Sequence, residues 1–160
     1  MYKPASLRSH LTAAIPDLRQ NPDKLLVFAD EGHTVTAGTG SLSFEYRYQL
    51  TIIITDYAGD PDAIMVPLLA WVAVHQQSLL GNPELRNTGI SFEVDFNNHE
   101  TIDLSIKLQL TERVVVKQKE GGKLEITHPA EPQPTPAYND NFWTLAEGDT
   151  LLAQWITPIT

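Results

Sequence analysis

Residues 43–57 read Ser-Phe-Glu-Tyr-Arg-Tyr-Gln-Leu-Thr-Ile-Ile-Ile-Thr-Asp-Tyr. In an extended chain Phe44, Tyr46, Tyr48, Leu50, Ile52 and Ile54 fall on one face, and Glu45, Arg47, Gln49, Thr51 and Thr55 on the other. Successive side chains of a strand point to opposite faces, so this alternation predicts a strand with one face on a core and the other more polar. At ~3.3 Å per residue such a strand is long for a chain of 160 residues.

Two further runs alternate in the same way. Ile90, Phe92, Val94 and Phe96 share a face, as do Ile102, Leu104, Ile106, Leu108 and Leu110. The short connection Asn97-Asn98-His99-Glu100 between them predicts a hairpin. The second run continues through Arg113 to Lys117, turns at Glu120-Gly121-Gly122 and returns through Leu124 and Ile126. Upstream, Asn21-Pro22-Asp23 is a turn signal, and Leu25-Leu26-Val27-Phe28 reads as a short buried strand. Residues 32–40, with three glycines and three threonines, read as a loop or the tip of a hairpin.

Two helices complete the pattern. Pro4 suits a first helical turn, and Leu7, Leu11, Ala14 and Leu18 recur at helical spacing, with Pro16 disturbing the last turn. The second helix opens at Asp60-Pro61-Asp62, where Asp60 can cap free N–H groups and Asp62 complements the helix dipole. It is expected to run to about Leu80. Its residues 63–74 are apolar on nearly every side, yet the run is shorter than the ~20 residues of a membrane span and Pro67 interrupts it. A helix apolar all round needs cover on more than one side, from the sheet and from a further element or another subunit. Pro67 is expected to cost ~3 kcal/mol or to kink the helix. The fold class predicted is thus α/β (α+β), with a largely antiparallel or mixed sheet and two main helices packed on it.

The organisation predicted is a core of residues 1–128, a Pro-rich linker at 129–138 and a C-terminal hairpin arm at 139–160. Pro129, Pro132, Pro134 and Pro136 make the linker stiff and extended. Beyond it, Phe142-Trp143-Thr144-Leu145 and 151–156 flank a Glu147-Gly148-Asp149 turn. An isolated hairpin is marginal in water, so this one is expected to pack on its own domain or on a neighbour. Truncation after His128 is expected to leave a soluble core.

The formal net charge is −9. It argues against a nucleic-acid backbone as binding partner, which calls for clustered Lys and Arg. Lys123 is the last basic residue, and Glu125, Glu131, Asp140, Glu147 and Asp149 follow it. There is no cysteine, which removes thiolate nucleophiles, disulfides and cysteine metal sites. Met1 to Arg8 lacks the apolar run of a secretory leader.

Chemistry is hard to find. His10, His33, His75, His99 and His128 are scattered without metal-ligand spacing. Asp95, Asn97, Asn98, Glu100 and Asp103 cluster, but without the spacing of a calcium loop, and a hairpin turn accounts for them. Gly38-Thr39-Gly40-Ser41 lacks the Gly-Lys-Ser/Thr of a P-loop and opens into a strand. No Gly-x-Ser-x-Gly elbow occurs. The expectation is a protein with no catalytic, cofactor-binding or metal site, working by assembly with other chains.

The order of several motifs carries a resemblance. They are Lys3-Pro4 with Ser6-Leu7-Arg8, Asn21-Pro22-Asp23, 41–45 with Arg47-Tyr48, and Thr55-Asp56 with Gly59-Asp60. Val66-Pro67 with Leu69-Ala70-Trp71, Asp95 with Asn97-Asn98, and Leu110-Thr111-Glu112-Arg113 follow. In this order, from residue 3 to about 113, the chain resembles the R-type tail completion proteins (GpR) of contractile-tailed phages of the Peduovirus type. The resemblance implies a virion structural protein of the tail, made in the bacterial host cytoplasm, and by looser analogy a tail-terminator-like fold. Such proteins form a ring, usually hexameric, that caps the tail tube and presents a surface to the head.

The partners implied are further copies of the chain, the tail tube and sheath proteins and the head–neck connector. DNA would only pass through the lumen, where negative charge keeps it from sticking, and no membrane is involved. Glu45, Arg47 and Gln49 on the polar strand face, with Trp71, Leu151 and Trp155, are the candidate subunit or partner contacts. A neck adaptor between head and tail, or a non-phage small-ligand-binding α/β domain, are the alternative readings.

Overall fold

A computed structural model describes residues 1–38, 40–98, 100–133 and 141–158. At its centre lie two long antiparallel strands, β2 (Phe44–Tyr57) and β4 (Ile102–Gln118). Their register sets Tyr48 opposite Leu110, Leu50 opposite Leu108, Ile52 opposite Ile106 and Ile54 opposite Leu104, so the apolar faces of both runs coincide. β1 (Leu25–Thr36) flanks β2 and β3 (Ile90–Phe96) flanks β4, giving the order β1-β2-β4-β3. β5 (Leu124–Thr127) pairs with the far end of β4, at Val115 to Gln118. Every strand pairing among the described residues is antiparallel. With 30% helix and 45% strand in a curled sheet, the fold is α+β.

The apolar face is covered by α1 (Lys3–Ala14) and α3 (Asp62–His75). Leu7, Leu11 and Ala14 of α1 join Ile64, Leu68, Trp71 and Val72 of α3 and the inward residues of β2 and β4 in one core. Pro4 sits in the first turn of α1, where its missing N–H costs nothing. Ile15 is extended (φ −102°, ψ 118°) because it precedes Pro16, which opens the short α2 (Pro16–Gln20) that carries Leu18 into the core. The Oδ1 of Asp60 accepts from the N–H of Asp62 at 2.8 Å, capping α3 as its sequence suggested.

Three local expectations are corrected. The run at Leu25 is neither short nor buried: β1 has 12 residues, and as an edge strand it buries only Leu25 while Leu26 and Phe28 stay exposed. The strand also continues through the supposed loop to Thr36. A bulge between Asp30 and His33, with Glu31 at φ 49°, takes up Gly32. Helix α3 ends at His75 rather than near Leu80, because the side chain of Gln76 is drawn into a polar network and its backbone leaves the helix (φ −147°, ψ 54°). Two single turns, α4 (Ser78–Gly81) and α5 (Pro83–Arg86), then lead to β3. Pro67 lies inside α3, which runs through it as one helix with the ring buried.

The C-terminal hairpin, β6 (Phe142–Glu147) and β7 (Thr150–Ile156), lies against α1 and α3. Ala153 is fully buried and Trp155 nearly so, both in the main core. The all-round apolar character of α3 is therefore met within the chain by the sheet, α1 and β7, leaving Val66 and Leu69 as its exposed large side chains. Of the expected linker, residues 134–138 lie outside the described residues.

Candidate functional site

The polar interior is concentrated where the start of α1 meets β4. Lys3 is buried, and its Nζ donates to the carbonyl of Thr111 (2.6 Å), Oε1 of Gln76 (2.8 Å) and Oε1 of Glu131 (2.9 Å). Glu112, also buried, accepts from the N–H of Tyr2 (2.7 Å), the N–H of Lys3 (3.3 Å) and the hydroxyl of Tyr48. Gln76 also accepts from the N–H of Thr111 (3.0 Å), and its Nε2 donates to Ser78 and Thr111 hydroxyls (2.8 and 3.2 Å). Burial pulls the Lys3 ammonium below its ordinary value, opposed by Glu131; burial and the Glu112 carboxylate push the Tyr48 phenol up.

Beside this network is a cleft of about 340 Å³ that Tyr2, His75, His128 and Glu131 help to line. Its Lys3 has three acceptors and its Glu112 three donors, so neither is left poised as acid, base or nucleophile. Satisfied buried networks of this kind rigidify a structure. The network joins the N-terminus, β4, the end of α3 and the segment entering the C-terminal region. Among the described residues no group of three His, Cys, Asp or Glu side chains could hold a metal ion, and no helix is long and apolar enough to cross a membrane. The oxygen-rich cluster is a turn: Oδ1 of Asn98 accepts from the N–H groups of Glu100 and Thr101 (2.8 and 2.9 Å), while Asp103 holds Asn97 and the backbone of Asp56 (both 2.8 Å).

The six candidate contact residues divide. Glu45, Arg47 and Gln49 stay together on the outer face of β2, opposite Arg113, Thr111 and Gln109 of β4. Nε of Arg47 donates to Oε1 of Glu45 at 2.7 Å. Leu151 is exposed at the start of β7. Trp71 is fully buried, stacked on the His75 ring at 4.5 Å with its Nε1 donating to Ser6 Oγ at 3.1 Å. It offers a partner no surface, and Trp155 very little; both serve the chain's own core.

The sequence reading missed the apolar residues at the sheet edges. Phe92 and Phe96 lie on the core face of β3 yet are 61% and 80% exposed, because the helices do not reach that edge. Leu124 and Ile126 of β5 are 51% and 63% exposed.

Taken together, these features define a small cysteine-free α+β domain with a connected polar interior and apolar side chains left uncovered at its sheet edges, as interaction surfaces are. Within that class, residues 1–132 match the family of the P2 phage tail completion protein R (GpR), and the chain belongs to that family. Over 155 residues it is 42% identical to the tail completion protein R of Escherichia phage P2, across 97% of this chain and 99% of that protein. No solved structure matches the chain.

Proposed function

We propose that this chain is a tail completion protein of a contractile-tailed phage or phage-derived particle. In this reading it assembles as a ring, hexameric by analogy, on the head-proximal end of the tail. There it ends growth of the tube and presents the surface to which the head connector joins. The carrying observation is the identity to the phage P2 tail completion protein R along nearly the whole of both chains. The exposed apolar side chains on separate sheet edges support self-association, since a ring requires two different patches that fit one another and close. The locked polar interior fits a structural, non-catalytic role. Glu45, Arg47, Gln49 and Leu151 are the proposed contacts with tube, sheath or neighbouring subunit.

Electron microscopy of particles made without this protein tests the reading. Over-long or headless tails are expected. Normal tails carrying defective heads would instead assign the chain to the neck.

A further inference from the structure

From the way charge is divided along its longest strand, we infer that copies of this chain meet head to tail. The end where β4 finishes on one subunit sits against the end where β4 starts on the next. The inference rests on the ring reading, for which it names the polarity of the subunit contact.

The end where β4 starts is acidic. β2 runs out beside it with Tyr57 opposite Ile102, and Phe96 of β3 faces the same residue. β2 closes on Asp56-Tyr57 and leads to Asp60, while the connection into β4 carries Glu100, with Asp103 just after it. The two connections are joined where Oδ1 of Asp103 accepts from the N–H of Asp56 at 2.8 Å. The C-terminal hairpin comes to the same end. Leu151 and Leu152 line a cavity with Tyr57 and Asp60, which brings the β6–β7 turn there, with Glu147 and Asp149. Burial, followed by Asp17 and Asp60, pushes the Tyr57 phenol up to about 12. The basic residues near this end are Arg8, Arg19 and Lys24, and each is engaged. Lys24 holds Asp17 at 3.1 Å, Arg8 the carbonyls of Leu25 and Pro22, and Arg19 the carbonyl of Ala13.

The end where β4 finishes is different. Residues 113–123 hold Arg113, Lys117, Lys119 and Lys123 against Glu120, in a chain whose net charge is −9. The other acids of this end are occupied. Glu45 holds Arg47 at 2.7 Å, Glu131 holds Lys3 at 2.9 Å, and Glu112 is buried. Glu125 lies opposite Lys117 in the β4–β5 register, but its carboxylate is on Lys119 at 2.9 Å. Arg113, Lys117 and Lys123 are exposed and have no ion-pair partner among the described residues, with Glu120 the exposed acid left beside them.

From Asp103 to Lys117 is roughly 45 Å of strand at ~3.3 Å per residue, against a screening length of ~10 Å in 0.1 M salt. The two ends cannot neutralise each other within one chain, so the match is made between chains. Two acidic ends placed together repel, and two basic ends placed together leave both acidic ends unmet. The unlike pairing answers both, and it is the heterologous kind of contact that closes a ring. Arg47 and Leu151, named above as contacts, fall at the basic and the acidic end respectively.

Two variants of the full chain test the contact. One carries Glu100→Lys, Glu147→Lys and Asp149→Lys, the other Arg113→Glu, Lys117→Glu and Lys123→Glu, all at exposed positions. Oligomer mass is read by light scattering, or as copies per tail if the wild type assembles only on tails. Each variant is expected to weaken assembly at least about ten-fold with unchanged circular dichroism. Combining the six changes leaves the net charge as it was and is expected to restore assembly. The acidic-end variant separates this contact from general repulsion between copies. It brings the net charge nearer zero, so general repulsion alone would make it assemble more tightly. Wild-type assembly is also expected to loosen as salt is raised from about 0.05 to about 0.5 M. Unchanged assembly in either variant, tighter assembly in the acidic-end variant, no rescue in the combination, or no loosening by salt overturns the contact and leaves the ring standing. Variants that self-associate normally but no longer bind tail tubes overturn it too, by giving these ends to the tube. A wild-type chain that stays single in solution and on tails overturns the ring and the contact together.

Discussion

Glu112 sits inside the protein with three donors on its carboxylate. Glu112→Ala would strand the Tyr48 hydroxyl and the first N–H groups of α1, and a loss of roughly 3–5 kcal/mol is expected for breaking a buried charge network. Glu112→Gln keeps the shape and should lose less, about 1–2 kcal/mol; denaturant midpoints distinguish the two. Trp71→Ala removes a fully buried indole and is expected to cost about 3–5 kcal/mol. His10 supplies a pH dependence. Its Nε2–H donates to the carbonyl of Pro67 at 2.9 Å, while burial, aided by His75, holds the ring below its ordinary value. The unfolded chain therefore takes up a proton first as pH falls, so stability present above about pH 6.5 is lost below it. A urea midpoint that drops between about pH 7.5 and pH 5, and drops less in His10→Gln, is the expected result.

At the scale of the element, the C-terminal hairpin and the edge strands show how far patterning can be read. Trp155 anchors β7 to α1 and α3. Trp155→Ala is expected to release the hairpin to limited proteolysis while α1, α3 and the main sheet stay protected, at about 3 kcal/mol. Truncation after His128 also removes Glu131, an acceptor of Lys3. It should leave a folded but weaker core, checked by thermal melting. The alternation at 43–57 and at 90–110 was enough to place β2, β3, β4 and their shared face, because period-two patterning records which face is buried. It could not separate Phe92 from Ile106. Both belong to the core face, and only the reach of the helix layer decides that one is exposed and the other buried. The end of α3 at His75 was equally hidden, since Gln76 leaves the helix for Lys3 and Thr111, far away in sequence. Of the candidate site, Glu45, Arg47 and Gln49 were legible as one polar face, whereas the burial of Trp71 and Trp155 depended on packing between elements.

For the whole molecule, the match over residues 1–132 places the chain in a tail completion family. Exchanging Glu45 and Arg47 for Lys and Glu keeps their mutual ion pair possible on an outward face. The fold is expected to survive while assembly on tails falls, and unaltered assembly would remove that face from the contact. The most direct test is electron microscopy of purified tails labelled with gold-tagged antibody against this chain. Label confined to the head-proximal end of each tail, as a single focus, is the predicted result. Label spread along the tube, confined to the baseplate end, or absent from intact tails would contradict the account.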